Sequence, residues 1–359
     1  MSDTLLHWRD QLLGDPGVRT LVERLPFGRM IAGRHATRLF RLMTGIVGSQ
    51  MMLAALDLGV FDQLRAGPVE SEALTRALAL PPRGFDALIR ALLAMGIVER
   101  RSGDRLALSI DGLVVASDPG IRAMIEHGRL LARDLTDPAS LLRTPGRGAI
   151  ARFWPYRGAT GDPEGYSALM SASQSFVADA LCRTYRFGRH GHVMDVGGGD
   201  GSFLERLAVR EPALRLTLVD LPPVASLATA RLRSIGLSDR IHVHPREAGA
   251  PLPAGADAIT LVRVLHDHDD GAAVALLRAV ASALPIGGVV VIAEPMARSG
   301  RDPQTGYFAV YFAAMGSGRL RSRRAIADLM REAGLAPSWR RARRASPMLW
   351  VITGIKRHH

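Results

Sequence analysis

The segment HVMDVGGGDGS, from His192 to Ser202, constrains the fold more than any other part of the chain. A β-branched run reaches an aspartate, passes into consecutive glycines, and gives way to the helical pattern SFLERLAVRE. Glycine lets a backbone turn tightly and approach a ligand where a side chain would block it. From residue 191 the same grammar repeats. HVMDVG, RLTLVDL, IHVHP, AITLVRVL and GVVVIAEP read as short strands, with the helical patterns SFLERLAVRE, PVASLATARLRSIG and GAAVALLRAVASALP between several of them. That alternation predicts an α/β domain over 191–359, with a parallel sheet and helices on both faces. The tail SWRRARRASPMLWVITGI holds two more strand-like runs and no room for a crossover helix. They are expected as an antiparallel hairpin at the sheet edge.

Residues 1–117 read as a helical domain of a different kind. In VESEALTRALALPPRGFDALIRALLAMGIVERRSGDRLALS, two short amphipathic helices are split by Pro81-Pro82, and a hairpin follows around Ser102-Gly103-Asp104. This is a winged-helix pattern. A DNA reader would carry base-contacting groups on the second helix, yet FDALIRALLAMG is apolar apart from one arginine and one aspartate. We therefore read a winged-helix-type dimerisation domain. The run LMTGIVGSQMMLAALDLGVF, Leu42 to Phe61, approaches the ~20 residues of a membrane span. Gln50, Asp57 and three glycines interrupt it, and Met43, Ile46, Val47, Met51, Ala54 and Ala55 recur at helical spacing, so a buried helix in a dimer interface is expected instead. Residues 118–190 read as a helical connector carrying the aromatic segment FWPYRGATGDPEGYSALMSASQSF.

Composition narrows the partners. The chain has 359 residues, a formal net charge of +12 and one cysteine. A lone Cys182 forms no intrachain disulfide, and the amino terminus lacks the basic and apolar regions of a secretory signal, so a cytoplasmic location is expected. All but one of the 46 basic residues are arginines, Lys356 being the exception. They are interleaved with acidic residues. The one dense cluster, Arg340, Arg341, Arg343 and Arg344, has only Trp339 beside it. No nucleic-acid partner is expected; a use left for the charge is contact with an anionic membrane surface.

The glycine loop has G-x-G-x-G spacing at Gly197, Gly199 and Gly201. A dinucleotide fingerprint would place its third small residue at Ser202, and spacing alone leaves that alternative open. Asp195, just before the loop, suits a cationic ligand better than a pyrophosphate. Asp220, ending the second strand, can hold ribose hydroxyls. AITLVRVLHDHDD places His266 just past the fourth strand, beside the cleft, where an imidazole is the natural base near neutral pH. His268, Asp267, Asp269 and Asp270 could in principle ligate a divalent ion. Consecutive residues at a strand end point apart, so no metal is expected, and Asp269 and Asp270 read as caps of the following helix.

DVGGGDG followed by VDLPPV, with LVRVLHDHDD, VVVIAEP and the helical amino-terminal domain, resembles the S-adenosylmethionine-dependent O-methyltransferases of the plant caffeic-acid type and their bacterial relatives. The resemblance implies a Rossmann-like methyltransferase sheet, a homodimer, S-adenosylmethionine as cofactor and His266 as general base. It implies that Gly197, Gly199, Gly201 and Asp220 hold the cofactor, with Asp195 supporting the loop; Leu221, Arg246 and Arg263 complete the candidate contacts. Glu294 matches a glutamate that flanks the catalytic histidine, and Asp267 joins the catalytic candidates. The family's second flanking glutamate falls at Leu320, and the acidic residue of its adenine side falls near Arg246. The segments LPFGRMIAGRHATRLFRLMTGIVGSQ, FWPYRGA, YSALMSASQSFVADAL and YFAVYFAAMGSGRLRSRRAIADLMREAGL resemble the bacterial carotenoid O-methyltransferases acting on hydroxyneurosporene and demethylspheroidene. That branch implies a lipophilic acceptor with a tertiary hydroxyl. Phe153, Trp154, Tyr166, Met170, Tyr307, Tyr311 and Met315 are the candidate pocket walls. A phenolic or polyketide acceptor is the alternative within enzymes, and a DNA-binding regulator with a degenerate methyltransferase domain is the alternative outside them.

Overall fold

The structure is a computed structural model that describes residues 3–153, 177–298, 300, 302–338, 343–346 and 349–357. The chain divides into two compact units, Met1–Ser117 and Asp118–His359.

The first unit opens with helices α1 (Asp3–Gly14), α2 (Pro16–Arg24) and α3 (Pro26–Asp57). Prolines at the first helical positions suit α2 and α3, because the amide that proline lacks would have no partner there. The helix α3 begins well before the apolar run read from the sequence. The run is broken at Gly59, whose φ of 76° starts the short helix α4 (Val60–Leu64). Leu53, Ala55 and Leu56 are buried, but Met43 is 72% and Ile46 68% exposed in the single chain. By length and composition alone α3 is apolar enough to cross a membrane. The rest of the unit has the winged-helix order: strand β1 (Val69–Glu70), helices α5 (Ser71–Ala77) and α6 (Pro82–Ala94), hairpin β2 (Val98–Arg101) and β3 (Arg105–Leu108), and helix α7 (Ile110–Ser117). Leu88, Ile89 and Leu92 on α6 are buried.

The second unit begins with α8 (Pro119–Asp134), α9 (Pro138–Arg143) and α10 (Ala149–Phe153). Asp118 caps α8 by accepting from the amides of Gly120 and Ile121. A mixed sheet follows. Strands β4 (His192–Val196), β5 (Arg215–Asp220), β6 (Ile241–Pro245), β7 (Ala258–Val262) and β8 (Val289–Glu294) are parallel, in the spatial order β6-β5-β4-β7-β8. Beyond β8 lie β11 (Leu349–Lys356) and β10 (Arg343–Ser346), antiparallel as the tail predicted. A third carboxyl-terminal strand, β9 (Leu335–Pro337), also pairs with β11 and was not read from the sequence, where three residues give too little periodicity. Helices α11 (Ser202–Arg210), α12 (Pro222–Ser234), α13 (Asp270–Ala283), α14 (Pro303–Met315) and α15 (Arg323–Glu332) complete the unit. Two apolar clusters lie on the sheet, one around Phe187, Phe203 and Leu207, the other around Met194, Leu277 and Met330. Strands β7 and β8 are buried along their whole length, so the chain can meet polar ligands only at their ends.

Candidate active site

The chain leaves β4 to build β5 and β6 on one side, then returns to build β7 on the other. Such a reversal opens a crevice at the carboxyl ends of the strands. The glycine loop fills its floor. Gly197 donates its amide to Val219 O at 2.8 Å, and its φ is 73°. A Cβ there would lie 2.7 Å from Val264 Cγ2, so glycine is required both for the turn and for the close approach. Gly199 and Gly201 share the left-handed conformation. Gly199 N donates to Asp220 Oδ2 at 2.8 Å, and Leu221 N donates to Oδ1 at 2.7 Å. Burial pushes the Asp220 carboxyl up to about 6, although both amides pull it down. Asp195 is 1% exposed, and its Oδ1 accepts from Thr260 Oγ1 at 2.6 Å. Burial pushes it up to about 7, Thr260 opposes the shift, and the Asp220 charge adds to it.

Leu221 caps α12 beside this carboxylate. Arg246 is placed at the end of β6. Its amide donates to Asp220 O at 2.8 Å, but its Nε donates to Ala250 O at 2.7 Å, which ties the guanidinium to its own loop. Arg263 follows β7 with a φ of 58°, and its amide donates to Ala293 O at 2.8 Å. Its charge acts on His127, His266 and Asp267, toward the other end of the crevice.

The turn after β7 carries His266, which is 8% exposed. Glu294 ends β8 and is 1% exposed. Its Oε1 accepts from the amides of Val264 at 2.8 Å and Leu265 at 2.7 Å, and its Oε2 bonds His266 Nδ1. A carboxylate only accepts, so Nδ1 carries the proton and Nε2 is left as an acceptor. Burial lowers the His266 pKa, but Asp267 and Glu294 together outweigh it and hold the imidazole above its ordinary value. Asp267 Oδ1 lies 3.2 Å from His266 Nε2 without forming a hydrogen bond, and is a buried oxygen with no partner among the described residues. Burial raises the Asp267 pKa, against the pull of His266.

The neighbouring carboxylates diverge. Asp269 Oδ1 accepts from Gly318 N at 3.2 Å, and Asp270 pairs with Arg319 and Arg321. Asp269 does stand at the cap position of α13, but its side chain makes no bond to that helix. The capping roles expected for Asp269 and Asp270 are therefore corrected: both carboxylates are drawn to the Gly318–Arg321 segment, which sequence distance hides.

An aromatic face adjoins the imidazole. Tyr307, Phe308, Tyr311 and Phe312 recur on α14, and Phe312 lies 5.6 Å from the His266 ring. Tyr311, Met315, Phe312, Ile150 and Leu131 form one buried cluster, with Phe153, Phe308 and Leu320 packed against it. Tyr307 is 47% exposed and stands at the margin. Trp154, Tyr166 and Met170 lie outside the described residues. Two groups were not singled out in the sequence. Thr260 supports Asp195. His127, on α8, bonds Tyr311 Oη at 2.7 Å, and its ring lies tilted 4.8 Å from that of Phe153. Burial, with Arg263 adding to it, pushes His127 down to about 4, so it is neutral. A solitary histidine in EHGRLLARD carries no local signal.

Residues 147–336 match the family model of the O-methyltransferase domain, and residues 40–109 match that of the O-methyltransferase dimerisation domain. The chain belongs to the O-methyltransferase family. A demethylspheroidene O-methyltransferase from Cereibacter sphaeroides is 40% identical to this methyltransferase over 336 residues, covering 91% of this chain and 88% of that protein. One of the same name from Rhodobacter capsulatus is 37% identical, covering 88% and 80%. Among solved structures, an O-methyltransferase from neocarzinostatin biosynthesis, in complex with S-adenosylmethionine and 2-hydroxy-5-methyl naphthoic acid, aligns with a TM-score of 0.66 at 30% identity, covering 86% and 95%. The mitomycin 7-O-methyltransferase aligns with a TM-score of 0.73 at 25% identity, covering 91% and 100%.

The cofactor of the methyltransferase is S-adenosylmethionine. The crevice fits it. Asp195 and Asp220 are buried carboxylates whose ionised forms are disfavoured by burial, so a ligand with positive charge and hydroxyl donors would stabilise both. The space beside Gly199, where an added Cβ would meet nothing within 4 Å, leaves its backbone accessible.

Proposed function

We propose that this methyltransferase places a methyl group on the tertiary hydroxyl of a carotenoid of the hydroxyneurosporene or demethylspheroidene type, with His266 as general base. The observation that carries the reading is the Glu294–His266 pair set against an apolar aromatic face, in a chain whose relatives include two demethylspheroidene O-methyltransferases. When bound, S-adenosylmethionine supplies a methyl group activated by its sulfonium. Gly197, Gly199, Gly201, Asp220 and Leu221 hold that cofactor, Asp195 supports the loop, and Arg246 and Arg263 flank it. His266 Nε2 takes the hydroxyl proton as the new carbon–oxygen bond forms. An aliphatic alcohol is too weak an acid to be deprotonated beforehand, so proton removal and methyl transfer are coupled and positioning supplies much of the rate. Glu294 keeps Nδ1 protonated and stabilises the imidazolium. Asp267 Oδ1, buried beside Nε2 without a hydrogen-bond partner, stabilises the imidazolium as Nε2 takes up the proton.

Leu320 supports the lipophilic acceptor. It stands where the resemblance places a second glutamate, and it packs against the buried cluster that holds Tyr311, Phe312 and Met315. We further propose a homodimer through the exposed face of α3 around Met43 and Ile46, and a cytoplasmic enzyme whose net positive charge holds it at an anionic membrane where a carotenoid dissolves.

The test is an acceptor screen with labelled S-adenosylmethionine. Hydroxylated carotenoids in detergent are expected to accept label, and simple phenols to accept far less. Label on phenols alone would overturn the acceptor and retain the family. Loss of liposome binding at high salt checks the membrane contact.

A further inference from the structure

We propose that Arg321 is a positioning residue that locks the catalytic turn onto the strand bearing Glu294. The proposal rests on His266 being the base. Arg321 is 4% exposed, and its guanidinium bonds two backbone carbonyls and one carboxylate. Its Nη1 donates to Leu265 O at 2.6 Å and its Nη2 to His268 O at 2.7 Å, so the guanidinium straddles His266 and Asp267 from behind. Its Nε donates to Asp270 Oδ1 at 2.8 Å, which neutralises the charge and fixes the plane of the fork. The backbone of Arg321 is held from the other side. It bridges Met296, and Ala297 N donates to Arg321 O at 2.9 Å, just past Glu294 on the same strand end. One residue thus joins the turn that bears His266 to the segment just after Glu294, through its side chain on one and its main chain on the other.

The preceding residues complete the clamp. Arg319 N donates to His266 O at 2.9 Å. Gly318 has a φ of 79°, and a Cβ there would collide with His266 O and lie 3.0 Å from Asp267 Cα. Gly318–Arg321 therefore packs directly on the turn, with glycine at the point of closest approach. A guanidinium is suited to this task because its donors lie in one rigid plane and meet three acceptors together; a lysine ammonium cannot reproduce that geometry.

The test uses the full-length protein and the variants Arg321→Lys, Arg321→Met and Gly318→Ala. Calorimetry with S-adenosylmethionine reports whether the cofactor end is intact. Histidine-selective ¹³C NMR follows the His266 titration, with His266→Asn identifying its signal. Steady-state assays give kcat and KM. All three variants are expected to bind S-adenosylmethionine as the wild type does, to lose about 100-fold in kcat with little change in acceptor KM, as for a displaced catalytic group, and to titrate His266 at lower pH. Wild-type kcat in Arg321→Met would overturn the assignment. So would a loss of kcat with cofactor affinity lost in proportion and the His266 titration unmoved. If Arg321→Met does not fold, Arg321→Lys decides the matter, because it keeps the positive charge and removes the planar fork. If the wild type turns over no hydroxylated carotenoid, the proposed acceptor fails, while the titration and the calorimetry still decide the role of Arg321.

Discussion

Replacing Glu294 by Gln tests the proposed base most directly, because the change keeps the shape and removes one charge. Glu294 Oε1 accepts two backbone amides, from Val264 and Leu265. The amide oxygen of Gln can retain both, so its NH₂ must then face His266 Nδ1. Nδ1 becomes an acceptor, the ring proton moves to Nε2, and the nitrogen that should receive the substrate proton is blocked. The imidazolium also loses a charge-assisted bond worth about 1.5–3 kcal/mol, equivalent to roughly 10–150-fold in rate. The wrong tautomer adds to that, so kcat should fall at least about 100-fold, within the range for removing general-base action. The pH profile gives a second signature. Glu294 contributes to raising the His266 pKa, so the rising limb of the wild-type profile should lie above histidine's ordinary value and move to lower pH in the variant. Calorimetry with S-adenosylmethionine should show unchanged affinity, since the cofactor loop is untouched. Turnover within a few-fold of the wild type, with the rising limb unmoved, would refute the reasoning.

Asp195→Asn should weaken S-adenosylmethionine binding, and wild-type affinity should rise with pH through about 7 as Asp195 ionises; calorimetry across pH 5–9 checks both. The sign for stability is opposite. A carboxyl raised from 3.8 to about 7 on folding makes the wild type lose stability as pH rises across that window. The cofactor-free Asn variant should therefore melt higher than the wild type at pH 8, and the gap should close toward pH 4. Gly197→Ala should impair both ends of the crevice, because its Cβ would press on Val264, whose amide is held by Glu294; joint loss of cofactor affinity and kcat is the expected result, and wild-type kinetics would count against it. Ile46→Arg on α3 should convert the dimer to monomer in light scattering while leaving the fold of the second unit intact by circular dichroism.

Periodicity made the sheet legible. HVMDVG, RLTLVDL and GVVVIAEP each mark a strand, because burial between helix layers demands local apolar runs; IHVHP marks the edge strand, where only Ile241 is buried. AITLVRVL is a strand only as far as Val262, since Arg263 takes a left-handed conformation that no apolar pattern announces. The apolar run from Leu42 hid where α3 begins and ends. Its start is set by Pro26 and its end by Gly59, while Met43 and Ile46 between them stay exposed in the single chain, where we propose the dimer interface. His266 and Glu294 were found through strand ends and resemblance, whereas Thr260, His127, Gly318 and Arg321 were not. Each of the latter acts on a partner far away in sequence. Arg321, for example, reaches back more than fifty residues to Leu265. One arginine among 46 basic residues cannot be singled out by composition.

The site divides its work along the sheet. Gly197, Asp195 and Asp220 make a polar end, where buried carboxylates are costly without a ligand. Phe312, Tyr311 and Leu320 make an apolar end that needs no such compensation. His266 stands at the boundary, held by Glu294 at Nδ1, by Arg319 at its carbonyl and by Arg321 at the flanking Leu265 and His268, with the Phe312 ring on the apolar side. On the proposed mechanism, a long apolar acceptor can vary in its body while its hydroxyl meets Nε2 in a fixed geometry. That arrangement suits a substrate whose only distinctive polar feature is one alcohol at the end of a hydrocarbon chain, because orientation must then come from the enzyme.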